Sequence, residues 1–163
     1  MKQLHSKWNN RKHPAPKRAE LEKFLRRSAL LAGLPDTEWE LELLFTNDRS
    51  MANYNADIVG HEGTTDVITL SWFDDPEGLF PGDPELILIV NPDAAAREGK
   101  ERENSSYSFE LALYLVHGML HAAGEDDLEE ETARSMRAAE KRVMDQLKTE
   151  FQLNGLFPER KEP

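Results

Sequence analysis

The chain has 163 residues, 39% of them hydrophobic and 31% charged, which suits a single globular domain with a real core. No apolar run approaches the ~18 residues of a membrane span, and the basic N-terminus lacks the apolar stretch of a secretory signal. Cysteine is absent, which excludes disulfides and thiolate metal sites and fits a reducing cytoplasm.

The formal charge of −11 is divided unevenly. Residues 1–27 hold nine Lys/Arg against Glu20 and Glu22, so the remainder is strongly acidic. An acidic body argues against broad attraction to nucleic acid. Residues 1–16, with Trp8 among Lys7, Arg11 and Lys12, read as a basic, flexible arm ended by Pro14 and Pro16.

From residue 17 to 152 a single domain is expected. Residues 17–32 space Leu21, Phe24, Leu25, Ser28 and Leu31 as an amphipathic helix, stopped by Gly33 and Pro35. Residues 38–45 alternate, with Trp39, Leu41, Leu43 and Phe45 on one face of a strand. Asn47 or Asp48 caps a short helix to about residue 55, and residues 60–63 form a loop. A second strand spans 67–72, and a Gly/Pro loop covers 74–84. Residues 86–90 are apolar throughout, as in a central strand. Helices follow at 93–99, 107–123, with a stripe of Phe109, Leu113, Val116 and Leu120, and about 128–151, burying Met136, Val143, Leu147 and Phe151. Residues 153–163 read as a polar, fraying tail. The fold class is therefore α+β: a small mixed sheet with about five surrounding helices.

The chemistry concentrates in residues 117–127, His-Gly-Met-Leu-His-Ala-Ala-Gly-Glu-Asp-Asp. Residues four apart on a helix share a face, so His117 and His121 can converge on one ion. Gly124 can adopt a left-handed backbone at the helix end and turn the chain so that Asp127 supplies a third ligand. Three protein ligands leave a position open, as in catalytic zinc sites. Two histidines with one carboxylate also suit Fe(II), so one Zn²⁺ is expected, with Fe²⁺ or another divalent ion as alternatives. The same spacing serves zinc proteases, but Gly118 stands where they carry a glutamate base.

These residues resemble the YbeY family, bacterial metal-dependent endoribonucleases of rRNA maturation and ribosome quality control. His117, Gly118, Leu120, His121, Gly124 and Asp126 match its pattern His-Gly-x-Leu-His-x-x-Gly-x-Asp-His, and Thr65-Asp66-Val67-Ile68-Thr69 matches a second feature. Pro84-Glu85-Leu86 and the pair Met136 and Glu140 fit two further segments, and the likeness runs over roughly residues 20–148. The resemblance implies a zincin-like metal site on a core helix and a cytoplasmic hydrolase cutting single-stranded RNA. It also implies rRNA and the ribosome as partners, with ribosomal proteins or GTPases beside them. The chain departs at three places. Asp127 replaces the family's third histidine, Val59 falls where many members carry arginine, and Pro84 replaces a glycine. His61, two residues after Val59, is the candidate for proton transfer or phosphate contact, and Asp66 for holding the loop or orienting a ligand imidazole. The competing readings are a metalloprotease with a His-x-x-x-His-x-x-Gly-x-x-Asp site and a non-catalytic, metal-containing ribosome-associated factor.

Overall fold

The computed structural model describes residues 1–160. The chain runs β1 (Gln3–Trp8), α1 (Arg18–Ala32), β2 (Glu40–Phe45), α2 (Asp48–Tyr54), β3 (Val67–Ser71), β4 (Leu86–Val90), α3 (Pro92–Glu101), α4 (Tyr107–Ala122) and α5 (Glu130–Glu150). The strands form one mixed sheet in the order β1-β2-β4-β3. β1, β2 and β4 are parallel, whereas β3 runs antiparallel to β4 and forms the edge beside α4.

The alternation of β2 sends Leu41, Leu43 and Phe45 into the main core, which Trp39 joins from just before the strand. α1 and α4 pack over that face, and α5 packs on both. The opposite face carries a smaller cluster of Met51, Ile68 and Ile89, so Ile89 and Ile68 of neighbouring strands meet α2. β4 is buried from both sides, which is why it is apolar throughout.

Helix ends follow their local chemistry. The Asn47 side chain accepts from Ser50 N–H, the Asn91 side chain from Asp93 N–H, and Ser106 Oγ from Phe109 N–H. α2 continues as a π-helical turn over Asn55–Val59. α3 and α4 approach so closely that a Cβ on Gly99 would lie 2.5 Å from the Tyr107 backbone nitrogen.

Three local expectations are corrected. Residues 3–8 of the supposed flexible arm form β1. Leu4 is buried, the Trp8 ring packs at a tilt against Phe45 at 4.7 Å, and its indole N–H donates to the carbonyls of Asn10 and His13. A parallel strand has no hairpin to announce it, and half of β1 is exposed, so its composition resembles a solvated tail. In the supposed tail, Leu153, Leu156 and Phe157 are buried, while residues 161–163 lie outside the described residues. On α4 the stripe is rotated: Leu111, Leu115, Val116, Met119 and Leu120 are buried, and Phe109 and Leu113 are only partly so. A helix covered on several sides has no single apolar face to count.

Candidate metal centre

α4 carries both histidines in its last two turns, where it crosses β3 and β4. The close crossing depends on Gly118. A Cβ there would come within 2.7 Å of Leu88 Cδ2 and 3.1 Å of Thr69 Oγ1. The glycine lets the helix lie against the sheet, and the same contact leaves no room for the glutamate of a zinc protease.

The helix then ends as the sequence predicts. Gly124 adopts φ +107°. Its N–H donates to His121 O, and Glu125 N–H donates back to Leu120 O, a Schellman arrangement that reverses the chain. Glu125 accepts from Ser135 Oγ, and Asp126 Oδ1 accepts from Leu128 N–H. The hydroxyl of Thr132 accepts from Glu129 N–H and thereby starts α5. These bonds hold the turn on both sides of Asp127.

The result is convergence. One donor atom from each of His117, His121 and Asp127 lies within 4.8 Å of the others. His117 Nε2 is 3.7 Å from Asp127 Oδ2, and His121 Nε2 is 3.7 Å from Asp127 Oδ1. Ligands at ~2.0–2.1 Å around a tetrahedral ion stand about 3.3 Å apart, so the three groups, within 4.8 Å of one another, could close on a divalent cation by side-chain adjustment. Two imidazoles and a carboxylate are also the right donors for zinc or ferrous iron.

Glu140 on α5 completes this arrangement. Its Oε1 lies 2.5 Å from His117 Nδ1, which commits that nitrogen and leaves Nε2 for the ion. Burial opposes charging of His117, but the hydrogen bond and charge of Glu140 outweigh it and raise its pKa above the ordinary value. His121 is shifted the other way, first by burial and then by the charge of His117. Thus the two imidazoles are shifted in opposite directions, His117 towards keeping its proton and His121 towards losing it. The role given to Asp66 is corrected here in part. Asp66 is exposed and its Oδ1 accepts from Val67 N–H, so it fixes the loop, while Glu140 orients the imidazole. The match at Glu140 marked the position, but nothing in the sequence paired residues 23 apart.

Two cavities open on the centre. One, of about 530 Å³, is lined by His117, His121, His61, Val59 and the length of β3. His61 is exposed on its rim, so it shares the cavity with the cluster without joining the ligand set. The other, of about 400 Å³, brings Arg97 and Arg102 beside His117 and Glu140. Both arginines are engaged: Arg97 binds Asp48 through two hydrogen bonds of 2.5 and 3.0 Å, and Arg102 pairs with Glu98 and Glu110. The Arg97 contact, with Asn91, holds the Asp48 carboxyl down at about 2.

Comparison with known proteins bears on what this centre does. The family model described as endoribonuclease YbeY matches residues 3–148. The endoribonuclease YbeY of Alkaliphilus metalliredigens is 29% identical over 114 residues, covering 69% of this chain and 73% of its own. That of Rhizobium meliloti is 33% identical over 114 residues, covering 70% and 67% respectively. A Thermotoga maritima protein of known solution structure shares the fold at 18% identity and a TM-score of 0.54, over 90% of this chain and 93% of that one.

Proposed function

The chain belongs to the endoribonuclease YbeY family, and we propose that it is a metal-dependent endoribonuclease acting on single-stranded segments of rRNA during ribosome maturation. The observation that carries this reading is the coincidence of a family match over residues 3–148 with the convergence of His117, His121 and Asp127 on one point. Zinc is the proposed ion, the cytoplasm the proposed compartment, and the ribosome with its bound proteins or GTPases the proposed setting.

A divalent ion held by these three residues supplies Lewis acidity at neutral pH. The chain's own groups do the rest. Glu140 fixes the tautomer and orientation of His117, so its Nε2 faces the cluster. Asp127 adds a negative charge where the family pattern has a neutral histidine, which lowers the net positive charge at the centre and weakens that acidity. His61 stands across the 530 Å³ cavity and is the proposed proton donor to the leaving oxygen or contact to a phosphate. The cavity is of the size that holds one nucleotide-like ligand. The lack of room at Gly118 weighs against peptide hydrolysis.

The test uses purified protein of measured metal content, incubated with rRNA and separately with casein. RNA cleavage that disappears in His121→Ala is the expected result. Cleavage of casein, or RNA cleavage unaffected by that substitution, overturns the reading. Asp127→His is expected to retain or tighten the ion in a chelator competition. Loss of the ion in that variant would show that Asp127 is not a ligand or that the turn cannot seat an imidazole.

A further inference from the structure

The two edges of the sheet are treated differently. α1 lays arginines along β1, where Arg18 donates to Leu4 O and Arg26 to the carbonyls of Met1 and Lys2. β1 also carries Lys7, a charge of the kind that blunts an edge. β3, with the sequence Val-Ile-Thr-Leu-Ser, has no charge, no proline and no bulge in its register with β4.

The bonds that bracket β3 show which of its main-chain groups are free. Asn91 N–H donates to Asp66 O, and Trp72 N–H donates to Glu85 O. Ile68 lies opposite Ile89 and Leu70 opposite Ile87. Alternation therefore turns the main-chain groups of Ile68 and Leu70 towards β4 and those of Val67, Thr69 and Ser71 away from it. Asp66 Oδ1 takes the Val67 N–H. The Val67 carbonyl and both main-chain groups of Thr69 and Ser71 have no protein partner among the described residues. This free edge borders the 530 Å³ cavity, which β3 lines along its whole length. Ile58 and Val59 of the π-helical turn line it as well, and they are 43% and 44% exposed.

We propose that this edge is a docking site for an extended, cationic peptide segment, which joins the four-stranded sheet as a further strand. A polypeptide offers main-chain donors and acceptors on every second residue, roughly 6.8 Å apart, which is the spacing from Thr69 to Ser71. Alternate apolar side chains of the peptide pack on Ile58 and Val59. Charge selects among the occupants that an open edge admits. From residue 50 to residue 96 the chain holds nine Asp and Glu and no Lys or Arg. Asp57, Glu62 and Asp66 lie in the segment before β3, and Asp74 and Asp75 follow it, all exposed. Such a surface repels a second copy of this acidic chain and a polyanionic strand alike, and attracts a peptide with Lys or Arg at its ends. The docking edge stands whether or not the metal centre cleaves RNA.

The test is an NMR titration of the isotope-labelled full chain with acetyl-Lys-Val-Thr-Val-Lys-amide, following the Thr69 and Ser71 amide signals and their hydrogen exchange. Saturable shifts that weaken with salt, and slowed exchange at those two amides, are expected. Only alternate residues of an added strand face β3. The peptide N-methylated on both valines, and the one N-methylated on its other three residues, should therefore differ, one losing about tenfold in affinity and the other keeping it. Ser71→Pro removes an outward N–H and spares the ladder to β4, so it should leave Tm unchanged and weaken binding about tenfold, whereas Ser71→Ala should not weaken it. If Ser71→Pro does not fold, the double variant Asp57→Lys, Glu62→Lys, at exposed positions, takes its place and should weaken binding severalfold. The proposal is overturned if the Thr69 and Ser71 amides show no saturable shift, if acetyl-Glu-Val-Thr-Val-Glu-amide binds as well, if both methylated peptides bind alike, or if the folded variant binds undiminished. Shifts at these amides that follow protein concentration alone assign the edge to a second copy. Shifts with a short single-stranded RNA but not with the peptide assign it to a nucleic-acid strand. Either result overturns the proposal.

Discussion

Glu140 decides how His117 behaves. Without the carboxylate, burial alone would push that imidazole towards easy deprotonation. With it, the folded-state pKa is raised, so in the metal-free protein its stabilisation is full below the ordinary histidine value and is lost as pH rises through the raised one. A metal ion bound through His117 would have to displace that proton, so its affinity is expected to fall as pH drops below the raised value. Glu140→Gln keeps the shape but removes the charge. It is expected to weaken metal affinity about 10–100-fold, measured by chelator competition, with little change in far-UV circular dichroism. His117, His121 and Asp127 were legible because helix geometry and one turn connect them within eleven residues. Glu140 was not, because its partnership depends on how α5 docks against α4, a tertiary fact.

The elements around the centre are tied by a polar hub as well as by packing. Asp48 at the start of α2 accepts from Arg97 of α3, from Asn91 and from Thr64, so one carboxylate joins two helices and the loop before β3. Its pKa is lowered from 3.8 to about 2, chiefly by the Arg97 hydrogen bond. A depressed carboxyl pKa contributes stability above the unfolded value, and that contribution is lost as pH falls through about 2. The side chain is about a third exposed, so solvent screening leaves on the order of 1 kcal/mol. Asp48→Asn should lower stability by about that amount at neutral pH in urea titrations, with the difference from wild type closing in strong acid. The elements themselves were largely legible, since β2, α1 and α5 show their period or their caps. The register of α4 was misread because a helix enclosed by the sheet, α1, α3 and α5 shows no unique stripe.

Over the whole molecule, both terminal segments of the described residues belong to the structure. β1 pairs with β2 from Gln3–Glu40 to Trp8–Phe45, and Leu4 contributes to the main core. Leu4→Ala is expected to cost about 2–4 kcal/mol, read as a lower denaturant midpoint with an unchanged slope. A change below ~0.5 kcal/mol, the scale of surface substitutions, would show the segment to be a detachable arm. The C-terminal Phe157 sits in an edge-on contact with Phe45, 5.8 Å between ring centres, so both ends meet on one strand. Charge asymmetry alone suggested flexibility for the first residues. It could not reveal a parallel partner 37 positions away.

The turn at Gly124 has a kinetic meaning. Two of the three ligand groups ride on a buried helix, but Asp127 stands on a short turn and is about half exposed. Opening that turn breaks only a few surface hydrogen bonds, far fewer than unfolding α4. Exchange of the ion with solvent should therefore follow local opening, which is fast and shallow in denaturant, rather than global unfolding. The protein would then hold its ion as an exchangeable ligand, responsive to the supply of metal around it.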